Sequence, residues 1–581
     1  MAILPADKED QIFQVDNFSG GLNSFSPPNK INNNSLTYSK NAFSVESGSL
    51  ICRPGIKEVA SLDFDNVFPD YFTSIDEILG ITVVGEGTTR KIALIFKATD
   101  SSAAYQTRAS VAFYDGISWE MPTGDNILAM PDTNTIEDRA GYCWLRTGNT
   151  AAEQLWVTFP NDNTIPKSSW YSFTLPDQGS APVGSDIGID VTDGTISDDP
   201  FHGPMDNCRY VINHVDRLWG CGVRGDNREF LFFSSAVSSI PGASGNEKWD
   251  QQQNWAAFNT GSGQGIRGIS AFTEDTVFVG LESSCWLMSI GTGSSLLDSV
   301  ITMVSNSIGV GSHKSITNVG EDLLFMDQHG DIRSLTQLIQ ERSTPISSPS
   351  ISLSIKNRTD DISQDELFKS VGAYHKNVFW LSIKTNSGWE LYTLNTSLRI
   401  WSGPHVLKNS SGNTLDVIDI VSTSGAPGIT DLNKRSTHLY FATDDGTSTS
   451  TRFQIYELDK DATSDNGSTI DLDIQTKAFN FENEIEDKII DWIEIFYKKQ
   501  DSASGLVKVE AKSDFCVNWT QVGEFDCTSG TKDIDWVKFS VRHLGRGRFF
   551  QFRFTYSDVL TNPELINFSM QVRGFVRKSA G

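Results

Sequence analysis

The stretch Cys208-Arg-Tyr-Val-Ile-Asn-His-Val-Asp-Arg-Leu-Trp-Gly-Cys-Gly-Val-Arg-Gly-Asp-Asn-Arg-Glu-Phe-Leu-Phe-Phe-Ser-Ser-Ala236 decides the fold class. It reads as three short strands. Tyr210 to Ile212 is the first, Arg217 to Val223 the second, and Phe230 to Ser234 the third. His214 to Asp216 and Gly225 to Asn227 supply the turns. Aromatic and β-branched runs bounded by Gly, Asp and Asn are hairpin signals. Such a meander has a face to bury and no helix to bury it against, so it is one unit of something larger.

Units of the same character recur between about 70 and 460. They contain Ile92 to Phe96 with Ala109 to Trp119, then Tyr142 to Arg146 with Leu155 to Phe159 and Trp170 to Leu175. The quoted meander is the third. Ile266 to Ile290 and His313 to Leu335 make the fourth and fifth. Val371 to Trp401 and Val417 to Leu458 make the sixth and seventh. Repeats of three or four short strands are what a β-propeller needs. The expectation is an all-β chain with a β-propeller of six to eight irregular blades at 66–460. A string of β-sandwiches is the competing architecture. At 581 residues the chain is too long for one ordinary core. Its 47 Gly and 35 Phe fit a turn-rich all-β protein.

Beyond the acidic segment Asp459 to Asp473 the alternation is cleaner. Ile470, Leu472 and Ile474 alternate with polar residues, and Phe550, Phe552, Phe554 and Tyr556 face one way. That is half-buried sheet at period two. Residues 461–581 are therefore expected to form a C-terminal β-sandwich. Residues 1–65 carry little regular pattern and are expected to form an extended N-terminal arm. The arm lies either on its own domain or on a neighbouring subunit.

The formal charge of −26 disfavours a general nucleic-acid binder. It is compatible with a conduit whose wall must not hold DNA. Seven Cys without CxxC spacing argue against a zinc module and a disulfide framework and suggest buried thiols in a reducing compartment. Nothing in Met1 to Gln14 resembles a signal peptide, and no apolar run reaches the length of a membrane span. A soluble protein made in the cytosol is expected.

No GxSxG, HExxH or Walker loop occurs. Gly263 to Gly268 spells GxGxxG but lacks the strand-to-helix context of a dinucleotide site, so no cofactor is expected. The eight His have no ligand-spaced partner, and no metal is expected. Acid clusters at Asp186, Asp190, Asp193, Asp198 and Asp199, and at Asp459, Asp461 and Asp465, offer oxygen ligands without the EF-hand pattern. Arg542, Arg546, Arg548, Arg553, Arg573 and Arg577 stand out in an acidic chain. The first four are candidates for a basic partner-binding patch; pairing with local acids is the plainer reading.

Three groups of residues carry a family resemblance. The first is Gly20-Gly21-Leu22-Asn23, then Lys40-Asn41-Ala42-Phe43, Gly48-Ser49-Leu50 and Arg53-Pro54-Gly55. The second runs from Asp275 to Leu287 and on through Gly320-Glu321-Asp322-Leu323-Leu324-Phe325 to Leu335. The third comprises Lys477 to Phe481, Arg548 to Phe554 and Gly574-Phe575. Together these resemble the tail nozzle or tubular hub proteins of short-tailed bacteriophages. The resemblance implies a structural virion protein of the tail, without enzymatic activity, forming a ring that is a hexamer by analogy. It implies portal-adaptor proteins and tail fibres or spikes as partners, with genomic DNA passing transiently and without specific binding. Gly20, Gly21, Leu22, Asn23, Phe43, Arg53, Pro54 and Gly55 become candidate adaptor or subunit contacts. The alternative is a propeller glycan-binding or glycan-degrading tail-associated protein; a cytosolic propeller scaffold is the third reading.

Overall fold

The computed structural model describes residues 11–575 except 46, 60–61, 63–71, 101–106, 124–140, 147–152, 159–169, 177–178, 181, 187–207, 216, 223–227, 235–254, 292–297, 342–349, 428–436, 448–451, 483, 500–504, 528–532 and 559–562. Among these, the chain is an all-β propeller joined to a β-sandwich.

Among the described residues each predicted unit is an antiparallel blade, and the blades number seven. Blade 1 runs Phe72–Val84, Lys91–Asp100, Thr107–Tyr114 and Trp119–Glu120. Blade 2 comprises Gly141–Arg146, Glu153–Thr158, Trp170–Thr174 and Val183–Asp186. In blade 3 the quoted meander, Tyr210–His214, Arg217–Cys221 and Phe230–Phe233, gains a fourth strand at Trp255–Ala257. Blade 4 comprises Ile266–Thr273, Thr276–Leu281, Cys285–Ser289 and Val300–Ser305. Blade 5 has three strands, Thr317–Asn318, Leu323–Met326 and Ile332–Ser334, and then the helix Leu335–Glu341. Blade 6 comprises Val371–His375, Val378–Thr385, Gly388–Asn395 and Ile400–His405. Blade 7 comprises the short Leu407–Lys408, Thr414–Ser424, Thr437–Asp444 and Phe453–Asp459.

The burial pattern explains why the blade strands lack polar alternation. Successive side chains point to opposite sheet faces. In a propeller both faces meet a neighbouring blade. Ile92, Leu94 and Phe96 pack with Ile418, Tyr440 and Ile455 of blade 7, while Ala93 and Ile95 pack with Leu155, Val157 and Phe173 of blade 2. The same holds at every step around the ring. Blades 2 and 3 share Trp156 and Leu218; blades 3 and 4 share Trp219 and Val279; blades 4 and 5 share Phe278 and Phe325. Blades 5 and 6 share Met326 and Leu381; blades 6 and 7 share Trp380 and Phe441. Thr414–Ser424 packs on Val371–His375 and on Phe72–Val84, which closes the circle.

The arm is a set of strands. Gly55–Glu58 pairs antiparallel with Phe453–Asp459 and completes blade 7. Ser35–Lys40 pairs with Ile470–Thr476 of the sandwich and meets blade 6 at Ser39 and Gly403. Gln11–Val15 and Leu50–Cys52 join the sandwich strand Glu564–Phe575. Within this chain the arm thus pairs with both the propeller and the sandwich.

The sandwich has one sheet of Ile534–Ser540, Asp487–Lys498 and Glu564–Phe575, and a second of Ile470–Thr476, Phe550–Asp558, Leu506–Ser513 and Thr520–Asp526. Phe550, Phe552, Phe554 and Tyr556 are buried between the sheets with Ile490, Ile493, Ile495, Phe568 and Met570. Phe568 sits at the centre of this aromatic group, 6.0 Å from both Phe552 and Phe554 and 5.8 Å from Phe479. Offset and edge contacts of this kind add to area burial.

Candidate functional site

The innermost strands of non-adjacent blades meet only across the propeller axis. Lys314 reaches that position from the 3-10 turn His313–Ser315, which precedes the first strand of blade 5. Its ammonium lies 2.6 Å from Asp419 Oδ2 of blade 7, 3.2 Å from the Tyr142 hydroxyl of blade 2 and 3.3 Å from the Leu79 carbonyl of blade 1. Three donors thus have three acceptors. The ammonium also lies 4.4 Å from the centre of the Tyr142 ring. The Tyr142 hydroxyl donates to the Ile81 carbonyl at 2.7 Å, and the Ile81 N–H donates to Asp419 Oδ2 at 2.9 Å. The Ile420 N–H donates to Asp419 Oδ1 at 2.9 Å.

The lock is close-fitting. A Cβ at Gly80 would stand 2.6 Å from Tyr142 and 2.7 Å from the Lys314 ammonium. Asp419 and Lys314 side chains are 1% and 10% exposed. His313 is stacked near Tyr210, with centroids 4.5 Å apart, and its Nδ1 accepts the Ile269 N–H. Burial first, and the Lys314 charge second, push the His313 imidazole down to about 3, so it is neutral at pH 7. The axial cluster is therefore a satisfied polar network that ties blades 1, 2, 5 and 7. It holds the propeller axis with side chains. No spacing in the sequence signals it: Tyr142, Lys314 and Asp419 are single residues in three distant units.

The arm residues proposed as contacts are engaged within the chain. Gly20 donates its N–H to the Asn34 carbonyl, and Gly21 has a φ of 58°. Leu22 is buried in the core between blades 5 and 6. Asn23 bonds Leu36 through its backbone and Ser26 through Oδ1. Phe43 packs 5.7 Å from Trp380 and 4.8 Å from His405. Arg53 is 0% exposed and forms a two-pronged pair with Asp465, also 0% exposed, one prong at 2.8 Å from Nη1 to Oδ1. Its Nε donates to Asn41, and its remaining donors reach the Pro54 and Val406 carbonyls. Gly55 donates to the Ala462 carbonyl, and a Cβ there would lie 2.0 Å from the Ser464 carbonyl oxygen. Within the chain these residues form joints between propeller, arm and sandwich.

The arginines do not form one patch. Arg542, Arg546 and Arg548 share the turn 541–549, whereas Arg553 lies on a strand of the other sheet. Arg542 Nε is 2.6 Å from Asp491 Oδ1, which also places Oδ2 at 3.1 Å from Arg573. Arg548 faces Asp487 at 3.6 Å, and Arg553 is held by Asp473 at 2.7 Å and Glu510 at 3.3 Å. Arg542, Arg548, Arg553 and Arg573 thus each lie against a local acid.

Gly263 to Gly265 form a loop, and Gly268 lies on the innermost strand of blade 4, so GxGxxG opens no helix. Asp465 is consumed by Arg53. Asp190, Asp193, Asp198 and Asp199 lie outside the described residues. Among the described residues no group of three or more His, Cys, Asp or Glu is placed to hold a metal. Five of the seven cysteines are buried and Cys143 is half-buried; Cys516 is exposed, against the expectation of buried thiols throughout. Among the described residues no helix is long and apolar enough to cross a membrane.

No protein-family model matches the chain, and neither does any curated protein sequence. Solved structures of similar architecture exist. A glycoside hydrolase family 43 arabinoxylan arabinofuranohydrolase from Bacillus subtilis is 9% identical, with 90% of this chain and 99% of that one covered and a TM-score of 0.24. A Trypanosoma rangeli sialidase is 8% identical, with 98% and 96% covered and a TM-score of 0.26. A glycosyl hydrolase from Bacteroides ovatus is 8% identical, with 59% and 95% covered and a TM-score of 0.24. At these values the likeness concerns fold class alone. The proteins in these structures are hydrolases, against the expectation of a chain without enzymatic activity.

Proposed function

We propose that this chain is a structural subunit of a short-tailed phage tail, of the nozzle or tubular hub type. Copies would form a ring, a hexamer by analogy, continuing the DNA channel below the portal-adaptor complex. The observation that carries the proposal is the arm. The residues on which the resemblance rests are the ones that knit the arm into blade 7, blade 6 and the sandwich. A block tied together this way suits a part that must hold its shape under load. Because Lys314 and Asp419 occupy the propeller axis, a DNA channel would lie between copies. Its acidic wall would favour passage over adhesion, with −26 charges per copy. Electron microscopy of the purified chain, alone and beside disrupted particles that carry it, tests this. Rings matching the distal tail support the proposal; single copies absent from the particles refute it.

A second reading, a tail-associated protein that binds or cleaves glycans, is favoured by one specific observation: an aromatic face on the sandwich, where Phe496 stands opposite Trp536, itself 53% exposed. Release of reducing sugar from host polysaccharide tests the cleaving form.

A further inference from the structure

The outer strand of blade 4, Val300-Ile-Thr-Met-Val-Ser305, is paired on one side only among the described residues. Val304 points into the core that blade 4 shares with blade 5, where Leu335 and Leu338 of the short helix cover it. Ile301 and Met303 alternate with Val304, so they lie on the opposite face of the sheet. They are 37% and 39% exposed, and Val300 is 60% exposed. From Ser299 to Ser312 the sequence holds no Asp, Glu, Lys or Arg, in a chain where 21% of residues are charged.

Folded proteins guard their open sheet edges by shortness, charge or cover. Blades 1, 2 and 3 end in strands of two to four residues. The three-residue last strand of blade 5 lies against the turn Ile351–Ile355. The last strand of blade 6 is continued by the arm, and Gly55–Glu58 at the rim of blade 7 carries the exposed Lys57. In the sandwich, Ile534–Ser540 carries Asp535 and Lys538, and Thr520–Asp526 carries Glu524 and Asp526. Away from the propeller axis, one other described strand of five or more residues is uncharged and paired on one side only. It is Gln11–Val15, bonded to Glu564–Phe575. Its Phe13 and Val15 turn to the sandwich core, and Ile12 on the other face is 69% exposed.

We infer that these two unguarded edges pair with each other between copies of the chain, Gln11–Val15 of one copy adding to blade 4 of the next as a fifth strand. The inference rests on the ring reading above and names the contact by which copies join. Three observations choose this occupant.

The first is the backbone. An open edge presents a row of N–H and C=O groups at strand spacing, and another strand is the partner that answers the whole row. Five residues of pairing span about 17 Å. The second is the side chains. At the spacing of paired strands, Ile12 comes within about 5 Å of Ile301 or Met303. Three apolar groups that each stand in water then cover one another. The third is charge. Copies that each carry −26 repel over most of their surface. They approach most easily where neither side is charged, and an ionic partner finds no counter-charge on either edge.

The placing of the edges sets the kind of contact. Blade 4 shares its cores with blades 3 and 5, whereas the sandwich joins the propeller through the arm at blades 6 and 7. Each copy therefore gives a different patch to each neighbour. Such a head-to-tail contact repeats into a ring or a filament and does not stop at a pair.

The test uses the 581-residue chain with Cys516, the exposed thiol, changed to serine. Ile12→Cys and Met303→Cys are introduced together and singly, and the proteins are oxidised. The double variant is expected to give a ladder of disulfide-linked chains whose linked peptides contain positions 12 and 303, and the single variants no such ladder. Mass photometry of Ile301→Lys with Met303→Lys should show assembly weakened about tenfold or more. Met303→Leu should assemble like the parent, as should Ile117→Lys, a charge placed on a 71% exposed residue elsewhere. Circular dichroism of the lysine variant should match the parent, because both side chains are exposed. Rings that persist in the lysine variant, with no ladder in the double cysteine variant, overturn the inference and leave the ring reading standing. Assembly lost in the lysine variant without a ladder also overturns it, since the edge then seats another surface. A chain that stays single throughout overturns both. A ladder within open filaments upholds the inference and removes the ring.

Discussion

Replacing Asp465 with alanine leaves the buried Arg53 guanidinium without its counter-charge. Both side chains are 0% exposed, and Asp465 satisfies two of the Arg53 donors. It also accepts the Lys408 N–H at 3.1 Å. Breaking a buried pair by removing one partner costs about 3–5 kcal/mol, because the other charge is left uncompensated. Arm and sandwich, residues 1–65 and 461–581, together make a unit of about 190 residues, for which 1 kcal/mol moves Tm by roughly 2–4 °C. The expected fall is roughly 6–20 °C in differential scanning calorimetry, in the transition that contains the sandwich. Hydrogen exchange places the loss: amides of Gly55–Glu58 and Leu50–Cys52 should lose protection before those of blades 2 to 4. Arg53→Met with Asp465→Leu removes both charges and should recover at least half of the loss. A Tm within about 2 °C of the parent for Asp465→Ala would refute the view that this pair is the joint on which the arm motif depends.

Three further outcomes follow from the same reasoning. Lys314→Met leaves Asp419 buried beside Tyr142 without its cation, so the propeller transition should drop by an amount comparable to Asp465→Ala, read by the same calorimetry. Gly55→Ala forces a Cβ against the Ser464 backbone and should destabilise the arm by about 1–3 kcal/mol, whereas Gly265→Ala, whose Cβ finds ordinary contacts at 3.6 Å, should be near neutral in urea titration. Half-buried His313 and buried His375 have imidazoles pushed down to about 3 and about 4, desolvation being the first cause in each. The unfolded state then binds more protons below pH 6.5, so stability falls as pH drops from about 6.5 towards 4, and His313→Gln should flatten the urea midpoint against pH over that window.

How far the sequence reaches can be judged blade by blade. The strands with both faces buried were legible, because Ile92 to Phe96, Val277 to Leu281 and Phe379 to Ile383 are runs of apolar residues between turn signals. Most outer strands were not. Val183–Asp186, Trp255–Ala257 and Val300–Ser305 pair on one side only and carry exposed or polar residues. The outer strand of blade 7 was hidden for another reason: Gly55–Glu58 belongs to the arm and pairs with residues some 400 positions away. Blade 5 replaces its fourth strand with Leu335–Glu341, a helix too short to show a clear period. The arm motif was legible as a motif but not as a joint, since Arg53 finds Asp465 only in the folded chain. The axial lock left no local trace. The aromatic face was visible only as single tryptophans, because Trp536 and Phe496 become neighbours through strand pairing.

The central claim is that copies of this chain close into a ring around a channel that lies outside the propeller. Mass photometry of the purified 581-residue chain at low and moderate salt tests it most directly. The account predicts a discrete species with six times the 64.1 kDa of one chain, and an open centre in class averages of that species. A single species at 64.1 kDa under all conditions would contradict it.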